Sequence, residues 1–185
     1  MLFSAVVATW KFNEAGVNIG LLLLRIAVGV TMIAHGYNHI WGGGKIAGTG
    51  RWFGSLGLRP GIVHAWMASL VELGAGAMLI LGLATPLAAA GVIGVMMVAI
   101  LTVHRFNGFF IFRPGEGWEY TGNLTIAGLA LGAAGAGKWS LDNAIGFSVN
   151  GWVGLAIAAI GGVGGAVLLL AIFWRPPARK DADAT

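Results

Sequence analysis

There is no cysteine among the 185 residues. That excludes a disulfide, a thiolate nucleophile, an iron–sulfur cluster, a Cys-ligated zinc and any lipid anchor on a cysteine, so a redox role would need a bound cofactor or a partner protein. Charge is scarce as well: 10% of residues are charged against 57% hydrophobic, and mean hydropathy is +0.83. A water-soluble domain cannot cover that much apolar surface. No HExxH pattern offers a metal site, no nucleic-acid-binding motif is visible, and no inverted repeat of the transporter kind is present. The chain reads as all-α, an integral membrane helical bundle.

An unpaired backbone N–H or C=O in lipid costs several kcal/mol, so a crossing takes about 20 mostly apolar residues in helix. Five runs meet that length: Asn18 to Trp41, Gly61 to Leu83, Pro86 to His104, Glu119 to Ala136 and Gly151 to Trp174. Met1 to Trp10 is apolar, with no preceding Lys or Arg and with Lys11 and Glu14 where a cleavage site would fall. We expect there an interfacial helix anchored by Trp10, not a removable signal peptide.

Five crossings place the connectors after the first and third runs on the same side as the C-terminal tail. That side carries Lys45, Arg51, Arg59, Arg105, Arg113, Arg175, Arg179 and Lys180, and the other only Lys11 and Lys138. The bias predicts a cytoplasmic C-terminus and an outside N-terminus in the cell inner membrane. Anionic lipid heads account for the net charge of +4, and no nucleic-acid partner follows from it.

The histidines collect on that Arg-rich side. His35 and His39 end the first run, His64 begins the second and His104 ends the third. From His104 hangs HRFNGFFIFRPGEGWEY, which returns to the membrane at Glu119 and Tyr120. Its glycines and Pro114 forbid a regular helix, and irregular backbone at the membrane persists only where it is buried or lines a wet cavity. The segment reads as a lid, with Phe106, Phe109, Phe110, Phe112 and Trp118 as an apolar underside.

Arg25 and Glu72 sit deeper in the first and second runs, where a charge costs about 2.5–3.5 kcal/mol and normally faces the bundle interior. They are expected to pair, with Arg25 reaching inward; the pair would either be a register device or belong to a polar cavity. At about 100° per residue, Arg25, Met32, His35, Gly36 and His39 share one arc, and His64, Ala68 and Glu72 form a stripe at i, i+4 and i+8. His35 and His39 are spaced for a metal, but no third ligand accompanies them, and no metal is expected. Haem would need a bis-histidine pair such as His35 with His104 and is not expected either. In the last run Gly154, Ala158, Gly162 and Ala166 repeat every four residues, a surface for close helix packing within the bundle or with a second copy, which would make a homo-oligomer. Most tryptophans, Trp41 and Trp52 among them, read as an interfacial belt.

LLLLRIAVGVTMIAHG, the WFxSLGL segment from Trp52 to Leu58, LVELG, LGLATPLAA, HRFNGFF with GWEY, and KWSLD at Lys138 to Asp142 together resemble the DoxX family of small membrane proteins. The resemblance implies a division into an N-terminal interfacial segment (1–17), a DoxX-like four-helix membrane core (18–142), an additional C-terminal transmembrane helix (143–174) and a charged tail (175–185). Many members carry a Lys shortly after the His-Gly pair, where this chain has His39. Relatives in this family are associated with membrane redox complexes, one with a thiosulfate:quinone oxidoreductase and one with an oxidative-stress complex containing superoxide dismutase and a sulfurtransferase. Its pattern draws attention to Arg25, His35, Glu72, His104, Asn107, Gly108, Trp118, Glu119 and Tyr120.

The expectation is therefore the membrane subunit of a redox complex, binding a quinone or similar amphiphile in a polar cavity under the 104–120 loop, in contact with lipid and with other protein subunits. The lid aromatics would sandwich the ring. The alternative is a non-catalytic anchor or assembly subunit whose polar core only fixes helix register.

Overall fold

The computed structural model describes residues 13–177. The helix expected at Met1 to Trp10 and the tail charges Arg179 and Lys180 lie outside the described residues. Seven helices follow in order: α1 Glu14–Trp41, α2 Lys45–Ser55, α3 Gly61–Leu81, α4 Thr85–Ala99, α5 Glu119–Ala134, α6 Leu141–Ala144 and α7 Gly151–Phe173. Helix α4 runs on as a single π-helical turn, Ile100–His104.

Among the described residues four helices are long and apolar enough to cross a membrane: α1, α3, α4 with its π turn, and α7. Helix α5 has 16 residues, fewer than the fourth crossing expected from sequence, because Gly135 and Gly137 take positive φ and end it early. It nevertheless traverses the bundle. Its first turn reaches His35, and the loop after it returns to Asn18 and Glu14 at the start of α1. Helix α1 begins at Glu14, ahead of the expected Asn18, because the Asn13 side chain accepts from Gly16 N at 3.1 Å and caps it. The amphipathic α2 lies in a stretch that hydropathy had left as a connector, and it packs on α3.

Helix α4 is the central element, packed by α3, α5 and α7, while α1 packs mainly on α3. The core is Val28 and Met32 of α1, Leu79 of α3, Ala88 and Val92 of α4 and Leu131 of α5. In a bilayer, such contacts stabilise by close van der Waals packing, since lipid is as apolar as the side chains. The small-residue stripe of α7 follows that rule: Gly154, Ala158, Gly162 and Ala166 are buried within this chain's own bundle. Helix α7 is also tied down at its end. Arg59 N donates to Phe173 O at 3.0 Å, Arg175 N to Gly57 O at 2.9 Å and the Trp174 indole to Leu56 O at 2.8 Å.

Candidate functional site

One end of the bundle gathers His35, His39, His64 and His104. The α1–α3 crossing explains part of this. A Cβ at Gly36 would lie 2.9 Å from Ser69 O and 3.1 Å from Glu72 Cβ, so only glycine allows α1 this close to α3. The approach sets His39 Nδ1 2.9 Å from Glu72 Oε2. Their angles do not make a hydrogen bond, and both atoms are buried without a hydrogen-bond partner. His64, on the same face of α3, has Nε2 3.3 Å from Arg59 O, so Nε2 donates to that carbonyl and Nδ1, buried and unpartnered, is the acceptor. Glu72 is 2% exposed and His64 3%.

Two further contacts close the ring of polar groups. Tyr120 OH and His35 Nε2 share a hydrogen bond at 2.9 Å, with the rings stacked. His104 Nδ1 donates to Glu116 O at 2.8 Å, which leaves Nε2 as the nitrogen available to a ligand. The π turn widens α4 where it carries His104, a distortion often found at functional sites.

These groups border a cavity of about 640 Å³, within the usual range for small-molecule sites. His35, His39, His64, Glu72, His104, Glu116 and Tyr120 form its polar part; elsewhere the walls are mainly apolar or small, from α2, α3, α4 and α7. The segment after His104 folds as a hairpin: Glu119 N donates to Phe109 O at 2.8 Å and Trp118 N to Gly108 O at 3.1 Å. Ile111, Glu116 and Gly117 face the cavity. Glu116 takes φ 60°, and its own carbonyl receives His104 Nδ1 and the Asn107 amide.

Several sequence expectations change here. Of the named residues, His35, Glu72, His104 and Tyr120 line the cavity, whereas Arg25, Asn107, Trp118 and Glu119 do not. Asn107 holds the hairpin, donating to Gly115 O at 2.6 Å. Glu119 accepts from Ile111 N at 3.1 Å, and Trp118 packs edge-on against Phe109. The aromatic underside is overturned as well. Phe109 meets Phe110 edge-on, Phe110 stacks on Phe112, and Phe112 is 79% exposed; none of the five aromatics lines the cavity.

Arg25 does not meet Glu72. Helical side chains lean toward their own N-terminus, and α1 and α3 run in opposite directions, so the two charges diverge toward opposite ends. Arg25 donates to Trp139 O at 2.5 Å. Nearby Asp142 is buried and accepts from Ala84 N at 2.6 Å, Thr85 N at 3.0 Å and Thr85 Oγ1 at 3.0 Å. It caps α4 from another segment and provides the charge opposite to Arg25.

Two contributors and one contact escaped the sequence reading. His39 was placed on the polar arc of α1, but its contact with Glu72 was not foreseen. Trp52 and Phe53 of α2 line the cavity, although Trp52 resembled a belt residue; the only signal was the WFxSLGL segment itself. Asp142 was visible within KWSLD, but nothing local said that it would cap a helix 57 residues away. Among the described residues no group of three or more His, Asp or Glu is placed to hold a metal ion.

The DoxX family model matches residues 20–105, a little under half of the chain. The hairpin, α5, KWSLD and α7 fall outside that match. No curated protein and no solved structure matches the chain.

Proposed function

Because residues 20–105 make this a DoxX-family membrane protein, we propose that its cavity binds the head of a quinone-class amphiphile within a membrane redox complex. The observation that carries the reading is a set of buried polar groups, the close His39–Glu72 contact at 2.9 Å and His64 with its unpartnered Nδ1, contributed by two helices to one part of a mostly apolar cavity. A buried ion pair is costly to desolvate and an unmatched imidazole nitrogen costs about 1–3 kcal/mol, so their retention beside a hollow points to a ligand that uses them.

The donor set fits a quinone head. Its carbonyls need donors, for which His39 and Tyr120 are placed; its reduced form has hydroxyls, which Glu72, His64 Nδ1 and His104 Nε2 can accept. Bound there, a quinone would supply two-electron, two-proton chemistry. The residues of this chain would orient the head and exchange protons with it. Electrons would come from a partner subunit, since a chain without cysteine carries no thiol or iron–sulfur relay of its own. The Arg-rich histidine end would face the cytoplasm of an inner-membrane protein.

The test is extraction of the purified chain. Quinone should leave the membrane with the wild type and be lost from Glu72→Gln and His104→Ala. A quinone-free wild type that captures the same partner proteins as both variants would instead make this an anchor subunit.

A further inference from the structure

We propose that the ligand carries a single long apolar chain and enters sideways from the bilayer, through a groove between α3 and α7 floored by α4. This deepens the amphiphile reading of the cavity and rests on it.

The floor is one helical stripe: Leu87, Gly91, Gly94, Val98 and Thr102 follow at i, i+4, i+7, i+11 and i+15 and all line the cavity. At 1.5 Å per residue the stripe runs about 22 Å, most of the hydrocarbon thickness. The walls are Met67 and Val71 of α3 and Gly161 and Gly165 of α7. Helices α3 and α7 each pack on α4 but scarcely touch one another; His64 meets Phe173 at the histidine end, with ring centroids 5.1 Å apart, and the space between the helices opens toward Leu87. Leu87 lines the cavity and is still 59% exposed. Because these residues lie within membrane-crossing helices, the opening faces lipid.

The other end is roofed. Trp52 and Phe53 of α2 and Ile111 and Gly117 of the hairpin cover the side toward the histidines. The buried His64 and the His39–Glu72 pair line that covered end, and His64 Nδ1 has no partner there. A groove one helix stripe wide, polar at its roofed end and lipid-facing along its side, suits a membrane-dissolved amphiphile with one chain, lying head toward the histidines and tail toward Leu87. A water-soluble ligand would have no use for the lateral opening.

The test uses the full chain in lipid nanodiscs and two photoreactive probes with a mid-chain diazirine, one a long-chain benzoquinone and the other a neutral long-chain alcohol. Adducts are expected on Val95 and Met96, which line the cavity while Met96 is only 4% exposed. Val167 and Leu168, on the exposed outer face of α7, serve as the lipid control. A Cβ at Gly165 meets nothing within 4 Å, so Gly165→Phe fills the groove without displacing a helix. Labelling of Val95 and Met96 should fall at least tenfold in that variant, with Val167 and Leu168 unchanged. Undiminished α4 labelling in Gly165→Phe, or none above background in the wild type, would overturn the lateral groove. If the alcohol labels the groove and the benzoquinone does not, the groove stands and the quinone head falls. If quinone co-extracts equally from wild type and Gly165→Phe, the head stands and the lateral groove falls.

Discussion

The Arg25 end and the histidine end both bury charge, and they surround it differently. Asp142 accepts three hydrogen bonds, two of them from backbone N–H groups at the start of α4. Arg25 donates to a backbone carbonyl beside it, and although its Nε and Nη1 have no partner, they do not line the cavity. At the histidine end, Glu72 pairs only with the His39 side chain, His64 Nδ1 has no partner, and all three residues line a hollow. Buried charge fixed on backbone groups of several segments acts as a staple. Buried polarity facing open space has the form of a binding site. Two intramembrane charges that look equivalent in sequence thus belong to different physical roles.

Parallel substitutions can break that comparison. Asp142→Ala should have the largest effect on stability, about 3 kcal/mol or more, because it removes the cap of α4 and strands the Arg25 charge. A marked fall in thermal unfolding temperature in detergent would be the readout, with Asp142→Asn intermediate. Gly36→Ala comes next, at about 1–3 kcal/mol, since its methyl would press on Ser69 O and Leu73 and push α1 from α3. Tyr120→Phe loses one hydrogen bond to His35 and should cost about 1 kcal/mol, with a larger change in ligand retention than in unfolding temperature. Glu72→Gln keeps the shape of the side chain and loses only the charge facing His39, so it should cost about 1 kcal/mol, well below Asp142→Ala, while abolishing ligand retention. Equal destabilisation by Glu72→Gln and Asp142→Ala would erase the distinction between the two ends. Lys138→Ala, which breaks only the exposed pair with Glu14 at 2.6 Å, should leave unfolding temperature unchanged, as exposed ion pairs usually do.

Much of the fold was legible because its signals are local. Apolar runs of crossing length mark α1, α3, α4 and α7, and the stripe of His64, Ala68 and Glu72 on α3 does line the cavity. Periodicity reports which residues share a face; it does not report which way a long side chain leans or what a neighbouring helix offers. The Arg25–Glu72 pairing failed on that point, since the lean is set by helix direction. The lid failed more subtly: its position followed from where the chain leaves and re-enters the membrane, but the facing of its aromatics depends on the hairpin hydrogen bonds and on Asn107. Helix α2 was missed because its composition is mixed and it packs along α3 without crossing.

By itself, the sequence determined the solvent, the places of the four long apolar helices though not the shortness of α5, the charge asymmetry of the two ends and the gathering of histidines at one of them, because these depend on composition and on distance along the chain. Only the tertiary structure decided that Glu72 meets His39, that Asp142 caps a distant helix, and that α3 and α7 part over α4 to open a groove. Those outcomes depend on how closely helices approach, which is governed by glycine and alanine contacts between segments far apart in sequence.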